Sequence, residues 1–377
     1  MMARKKSVSK KKISKKEIII FCVVAVLIIV ALVILTTDNK LNNYITNYLE
    51  QLANEQPEQP TTQTTPTDGK VFTSILSGKG NIILPSNFDT ENLLEVHFID
   101  IGQGDAIVIN FPDRKTMIID SGTTSNGLSE FRTEYLQYLD DITDNKLIEY
   151  MVITHPDTDH YNMLKKVVED YEVQNTYYNE YTGTTYNELL EVLAAEENIN
   201  LNEVDNNSAT YVIEGAGYKV TIYCCGDSAF SSADEKNNQS IVCMLEYGGR
   251  RILLTGDAGV DTEQWFISEL GTPYKDIDVL KVGHHGSDTS TSEFFLEFID
   301  AEYAVISCDD GTSYGHPDDV VMERLDNYGI ATYRTNRHGN ILLYVDGDGD
   351  FGFLTENQAS VENNSNNIDQ RKIPLAG

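Results

Sequence analysis

The chain has 377 residues, enough to bury a sizeable core, and its hydrophobic content of 41% is ordinary for a globular protein. It carries 28 Lys/Arg against 59 Asp/Glu, a formal net charge of −31. A field of that sign argues against a general surface for nucleic acid or anionic lipid, so an anionic substrate needs metal ions or a local basic patch to offset it.

The charge is unevenly spread. Residues 1–17 hold eight Lys/Arg and one Glu, while the other 360 residues carry 20 basic and 58 acidic side chains. The basic segment runs into IIIFCVVAVLIIVALVIL, 18 uninterrupted apolar residues from Ile18 to Leu35. As a helix at ~1.5 Å per residue this run is ~27 Å long, close to the ~30 Å hydrocarbon core of a bilayer. The flanking Lys/Arg place its N-terminal end in the cytoplasm and the residues beyond its C-terminal end outside. A cleaved signal peptide has an apolar region of roughly 7–15 residues and a small-residue cleavage site, and no Ala-x-Ala stands after this run. Residues 18–36 are therefore predicted to be an uncleaved transmembrane signal anchor. Residues 37–70, with EQPEQPTTQTTPTDG, read as a flexible stalk. Residues 357–377 read as a disordered tail, which leaves 71–356 as the folded unit.

Within that unit LLEVHFIDI, AIVINF and KTMIID have the short alternating pattern of strands in a half-exposed sheet, and YMVIT reads as a buried strand. TYVIEGAGYKVTIYCC reads as a hairpin around Gly215 and Gly217, and SIVCMLEYGGRRILLTGD as another turning at Gly248-Gly249. DVLKVG and YAVISC come next as single strands. Helical patterns stand between them: LSEFRTEYLQYL, TTYNELLEVLAAEE, TEQWFISEL, SEFFLEFI and DDVVMERLDNYG. Strands in two batches with helices between predict two sheets covered by helices, with no internal sequence repeat visible. Cys22, Cys224, Cys225, Cys243 and Cys308 show no C-x-x-C spacing, which argues against a thiolate zinc site.

Polar clusters fall just after the strands: FIDIGQGD, MIIDSG, VITHPDTDH, LLTGD, LKVGHHGS and SCDDGTSYGHP. Loops at one sheet edge can converge on one site. Five of the seven histidines, at 155, 160, 284, 285 and 316, lie in these clusters together with several aspartates. Imidazole and carboxylate are the common ligands of borderline and hard divalent ions. In HPDTDH the residues His155, Asp157 and Asp159 alternate, so a tight turn can aim them at one point, and His160 adds a nitrogen. Asp257, at a second strand end, suits a bridging carboxylate. A two-metal site would let an acidic domain accept an anion. The plainer reading of HPDTDH is a helix start capped by Asp159, since HYNMLKKVVEDY looks helical, and the two roles are compatible.

HPDTDH resembles the HxHxDH signature of the metallo-β-lactamase fold, with Asp157 where the second His normally stands. The series FIDIGQGDAIVI, MIIDSG, ITHPDTDH, NNQSIVCMLEYGGRRILLTGD, VLKVGHHGS, AVISCDDGTSYGHP and YRTNRHGNI is similar, in order and spacing, to the metallo-β-lactamase domain of ComEC-type competence proteins, over about residues 93–354. The resemblance implies an αββα sandwich with a metal site at one edge of the sheets and metal-dependent hydrolysis, with DNA-strand degradation as the proposed role. It implies two divalent ions, Mn²⁺ or Zn²⁺, held by His155, Asp157, Asp159, His160, Asp257, His284 and His285. Asp120 would orient a ligand histidine. Asp159, His316 and Lys281 would act in catalysis, and Asn238, Ser287, Gln103 and Asp105 would contact substrate. Two departures stand out. No His lies between His160 and Asp257, where Asn237, Asn238 and Ser240 stand, and one apolar span replaces the multi-helix channel of the family, so DNA transport is not implied.

The expected function is a membrane-anchored, extracytoplasmic phosphodiesterase or nuclease, with a phosphodiester such as DNA as partner and one N-terminal helix in the membrane. A hydrolase of another substrate (a wall-polymer phosphodiester, a lactone or a β-lactam) is the alternative, and a binding protein without turnover is the third. The acidic charge and the lack of a basic-aromatic groove keep the non-nucleic-acid substrates close.

Overall fold

The pattern of short β-rich runs yields two sheets, seen in a computed structural model that describes residues 71–72, 82–83 and 92–361, apart from 127, 180–183, 197, 205–210, 226–234, 271–274, 311–313 and 358. The predicted anchor at Ile18–Leu35, the stalk and most of the tail lie outside these residues. Among the described residues no helix is long and apolar enough to cross a membrane.

A short ribbon pairs β1 (Val71–Phe72) with β2 (Ile82–Ile83). The first large sheet then takes β3 (Leu94–Phe98), β4 (Ala106–Asn110) and β5 (Thr116–Ser121) as antiparallel neighbours. It continues in parallel through β6 (Leu147–Ile153), β7 (Glu172–Tyr178) and β8 (Asn200–Glu203). Helices α1 (Leu128–Ile142), α2 (Thr158–Tyr161), α3 (Leu164–Asp170) and α4 (Thr184–Ala195) lie between its strands. The second sheet runs antiparallel through β9 (Tyr211–Glu214), β10 (Lys219–Tyr223), β11 (Val242–Tyr247) and β12 (Arg250–Leu254). It then runs parallel through β13 (Val279–Lys281), β14 (Tyr303–Ile306) and β15 (Ala331–Arg334). Its helices are α5 (Glu235–Asn238), α6 (Val260–Trp265), α7 (Glu293–Ile299), α8 (Asp319–Asn327) and α9 (Thr335–His338). Finally β16 (Ile341–Val345) and β17 (Phe351–Thr355) return to the first sheet beside β3.

Three apolar clusters stack these elements. Val96, Ile107, Ile119 and Val152 meet Val220, Leu245, Ile252 and Val305 between the sheets. Val108, Ile118 and Met151 face Tyr135, Leu139, Val167 and Leu193 on the outside of the first sheet. Met244, Leu253 and Leu280 face Phe266, Phe295 and Leu325 outside the second. The result is the expected αββα sandwich.

Several expectations change. The alternation in β4 sorts Ile107 and Ile109 to one buried face and Ala106 and Val108 to the other. The sheet is therefore covered on both sides rather than half-exposed, because helices close its outer face. The repeat that sequence does not show exists in topology, since each sheet passes from antiparallel to parallel pairing. HYNMLKKVVEDY is not one helix but two, α2 and α3, and Asp157 rather than Asp159 holds the N-cap position, with no side-chain cap bond. Strands β7, β8 and β15 to β17 were not expected as strands. The hairpin at Gly248-Gly249 is as read: φ is 56° and 79° at the two turn residues, which suits glycine in a two-residue turn. Cys224, Cys225, Cys243 and Cys308 are buried free thiols, and Cys22 lies outside the described residues.

Candidate metal centre

The parallel strands of both sheets end on the same side of the sandwich, and the loops that leave them carry the polar clusters. Asp120 closes β5, His155 comes after β6, Asp257 after β12, and His284 and His285 after β13. Two glycines let the first loops meet the HPDTDH turn at backbone contact. A Cβ on Gly122 would lie 2.5 Å from the Asp159 carbonyl carbon and 2.6 Å from His160 N. One on Gly104 would lie 2.6 Å from Asp159 O, to which Asp105 N donates at 3.0 Å. Only glycine allows that approach.

Asp257 divides the donors that converge there. Its Oδ1 lies 3.3 Å from His160 Nε2 and 3.6 Å from His285 Nε2, which is itself 3.6 Å from Asp159 Oδ2. Its Oδ2 lies 3.5 Å from His155 Nε2 and 3.8 Å from His284 Nε2. The two oxygens of this buried carboxylate thus have different nearest imidazole nitrogens, while His155 and His160 also lie close enough to share one ion. The other ring nitrogens are tied behind. Asp120 accepts from His160 Nδ1 at 2.7 Å, from Thr154 N at 2.8 Å and from Thr154 Oγ1 at 2.6 Å. His285 Nδ1 donates to Ser307 O at 3.0 Å. Such anchoring fixes which nitrogen faces a metal. The backbone turns needed are left-handed at Asp120 (φ 58°), His284 (φ 47°) and His285 (φ 54°). Residues other than glycine held there cost of order 1–3 kcal/mol each and persist only where the surroundings over-determine them.

Glu263 on α6 supplies part of that over-determination for the two histidines. Its carboxylate accepts from Thr291 N, Ser292 N and Ser292 Oγ. Thr291 Oγ1 accepts from Gly283 N at 3.3 Å, and Ser290 Oγ donates to Gly283 O at 2.7 Å. Arg324 Nη1 donates to Ser290 O at 3.0 Å.

The electrostatics call for a cation. Burial opposes the charge of Asp257, yet the imidazoles of His160, His285, His155 and His284 outweigh it and hold the group well below the usual carboxylate range. Burial likewise opposes ionisation of Asp159, but the hydrogen bond from His285 and the charge of His160 bring it down to about 2. Asp105 is held low against its burial chiefly by the Lys281 ammonium. Burial disfavours the imidazolium of His160, but Asp257 and Asp120 raise it well above its ordinary value. His285 is raised in the same way, by Asp257 and Asp159 against burial. His155 is held down to about 4 by burial and the neighbouring His160, so it is neutral at pH 7, as a ligand must be. The buried carboxylates are thus balanced by protons on imidazoles, and a dication can replace those protons. His155 Nε2 and Asp257 Oδ1 are buried without a hydrogen-bond partner, which costs about 1–3 kcal/mol for each such atom. Donor triads His155/His160/Asp257, Asp159/His160/His285 and Asp105/Asp257/His285 each have ligand atoms within 4.8 Å of one another. These residues fit a divalent metal.

Other residues singled out from sequence fall around this core. Asp157 sits at the rim, its Oδ1 3.1 Å from Lys236 Nζ and its Oδ2 3.9 Å from His155 Nε2. His316 neighbours His284, with ring centroids 5.7 Å apart, and burial lowers its pKa. Lys281 is fully buried, and its ammonium is engaged by Asp105 Oδ2 at 3.0 Å and Val282 O at 2.8 Å, so it supports the cluster from inside rather than facing a substrate. Asp105 is enclosed with it. Gln103 is buried beside Ser125, whose Oγ accepts from its backbone N at 2.7 Å. Asn238 packs on α6, where its carbonyl accepts from Thr262 Oγ1 at 2.6 Å. Ser287 bonds Thr289 at 3.0 Å within the histidine loop. On the missing third-motif His, the structure is specific: Asn237 Nδ2 lies 3.3 Å from His284 Nε2, and His284 itself fills out the Oδ2 side of Asp257. Thr154, Ser307, Lys236 and Glu263 escaped the sequence reading. Thr154 alone carried a signal, its place at the strand end directly before HPDTDH.

The metallo-beta-lactamase superfamily model matches residues 99–222 and 225–309, and with this fold and donor set the chain belongs to that superfamily, whose members are generally metal-dependent hydrolases. Its similarity extends to the competence proteins of the ComEC type. It is 30% identical over 260 residues to "ComE operon protein 3" of Bacillus subtilis, covering 66% of this chain and 32% of that one. It is 30% identical over 247 residues to "Recombination protein 2" of Haemophilus influenzae, covering 66% and 28%. A 105-residue stretch is 36% identical to "Competence protein ComA" of Neisseria gonorrhoeae, covering 28% and 15%. The chain spans about a third of the length of the first two of these relatives.

Proposed function

We propose that this chain is a membrane-anchored, extracytoplasmic, metal-dependent phosphodiesterase, with DNA strands as the leading substrate class. The observation that carries the reading is the division of imidazoles between the two oxygens of Asp257. His155, His284 and Asp157 would serve one ion, and His160, His285 and Asp159 the other. A divalent pair bound there supplies Lewis acidity toward a phosphoryl oxygen and lowers the pKa of water. The chain's own groups do the rest. Asp120 and Ser307 hold the imidazoles in one tautomer. Asp318 Oδ2 lies 3.4 Å from His316 Nδ1, a charge contact without a hydrogen bond, and His316 is the imidazole beside His284 that would take up or return a proton. The competence-protein relatives favour DNA, whereas the acidic surface favours a smaller phosphodiester, which is the second reading.

The test is hydrolysis by the chelated and metal-reloaded chain of an aryl phosphodiester, single- and double-stranded DNA, a lactone and a β-lactam. Phosphodiester turnover that disappears in Asp257→Ala supports the reading; turnover of the lactone or β-lactam alone rejects it. The anchor is supported by the +7 segment before Ile18–Leu35. Protease added to intact cells should remove the domain, and protection until lysis would reverse the orientation.

A further inference from the structure

The rim of the centre carries an aromatic ring that the chemistry above does not use. Val212, Phe294, Tyr314, Val320 and Tyr328 are the large hydrophobic side chains that stand exposed among the described residues, and Tyr314 is the most open at 60%. Exposure alone is ordinary for a single surface residue. The position of Tyr314 is not ordinary. Its ring lies nearly parallel to His316, with centroids 6.1 Å apart and planes 17° from parallel. The His316 ring is 5.7 Å from that of His284, and His284 Nε2 is 3.8 Å from Asp257 Oδ2. Three rings therefore step from solvent to the bridging carboxylate.

Charge gives this series a purpose. The lysines bordering the centre are engaged, Lys281 by Asp105 and Lys236 by Asp157. Asp288 and Asp318 stand in the adjoining loops, where Asp288 N donates to Asp318 Oδ2. Among the described residues this rim offers a polyanion the carboxylates of Asp288 and Asp318 and, as its lysine, the already paired Lys236. Contact through a neutral ring face does not suffer from that field, and stacking of a base on an aromatic side chain is tolerant of sequence.

We propose that Tyr314 is a stacking subsite, the free face of its phenol ring receiving a nucleobase of a strand whose phosphodiester lies at the centre around Asp257. This rests on the phosphodiesterase reading and narrows it to substrates that carry flat rings along the strand. Those are nucleic-acid strands, not polyol- or sugar-phosphate polymers.

The experiment uses the full, metal-loaded chain and two single-stranded oligonucleotides of equal length, one with bases and one wholly abasic. The measured quantity is the ratio of their kcat/KM values. In the wild type the ratio favours the base-bearing strand. Tyr314→Ala should lower it about tenfold, through KM, the order expected for loss of one stacked base, and Tyr314→Phe should keep it. A wild type that cleaves both strands with a ratio near one, or an alanine variant with the wild-type ratio, overturns the stacking subsite and leaves the phosphodiesterase reading standing. A wild type that cleaves neither strand but does cleave an aryl phosphodiester overturns the subsite and DNA as the substrate class, and leaves phosphodiester hydrolysis standing. If no phosphodiester is cleaved, both fall.

Discussion

Asp120 Oδ2 lies 2.7 Å from His160 Nδ1, and this contact decides which nitrogen of His160 faces Asp257. The carboxylate accepts the hydrogen bond from Nδ1 and leaves Nε2 directed at the bridging oxygen 3.3 Å away. Asp120 can do so because its left-handed backbone at the end of β5 turns the side chain toward Thr154 and His160 rather than along the strand. An amide at this position keeps the size of the side chain but presents a donor where two donors already point. Asp120→Asn should weaken metal binding about 10–100-fold while the folded state persists. Competition with a chelating dye reads the affinity, and circular dichroism reads the fold; unchanged affinity would separate Asp120 from the centre.

Asp257→Ala removes the group that both imidazole sets share. Metal content and phosphodiester hydrolysis should fall together, with the fold retained, because the residue ends a strand and lies outside the three apolar clusters. Elemental analysis of the purified variant beside a rate measurement checks this. Full occupancy with full activity would take Asp257 out of the centre.

Glu263 offers a test in pH. Burial raises its carboxyl from 4.5 to about 7, against the hydrogen bonds from Ser292 and Thr291. A carboxyl whose folded pKa lies above its unfolded value favours folding in the protonated form. Its contribution is fully present below about pH 4.5 and is lost as pH rises through about 7. The difference is roughly 3 kcal/mol by order of magnitude. Wild type should therefore lose stability relative to Glu263→Gln between those two pH values, measured by urea unfolding in chelator. Parallel curves for the two proteins would contradict the burial of an ionisable group there. Because Glu263 holds the segment that fixes Gly283, the variant should also bind metal more weakly.

Metal choice is the prediction that Asp157 carries. Asp157 stands in HPDTDH where the HxHxDH signature has an imidazole, and oxygen-rich donor sets suit Mn²⁺ better than nitrogen-rich ones. After chelation, Mn²⁺ should restore more phosphodiester turnover than Zn²⁺, and Asp157→His should move the preference toward Zn²⁺. The side chain stands at the rim, shared with Lys236. Best activity with zinc, the same in wild type and Asp157→His, would mean that Asp157 is not a ligand.

Much of this was legible in the sequence, for identifiable reasons. Strand-end clusters such as VITHPDTDH and LLTGD announce themselves because parallel strands must end where loops converge, and metal ligands draw on few residue types. The two-sheet architecture comes from period-2 runs and hairpin glycines. What was not legible depends on contacts between distant segments. The side chain of Lys281 reads as a free cation until Asp105, far away in sequence, is seen to enclose it. Asp159 reads as a helix cap because capping is the commonest use of Asp before a helical run, whereas the helix starts earlier, with Asp157 at that position. Strands β16 and β17 depend on pairing from across the whole chain, since β16 lies beside β3 and β17 pairs with β16.

The central claim is that divalent ions sit between the imidazole sets that face the two oxygens of Asp257. Anomalous diffraction from crystals grown with Mn²⁺, with a second set grown with Zn²⁺, tests it most directly. The expected result is two peaks flanking the Asp257 carboxylate, one within about 2.0–2.2 Å of His155 Nε2 and the other at that distance from His160 Nε2. Peaks confined to other residues, or none beside Asp257 with either metal, would contradict it.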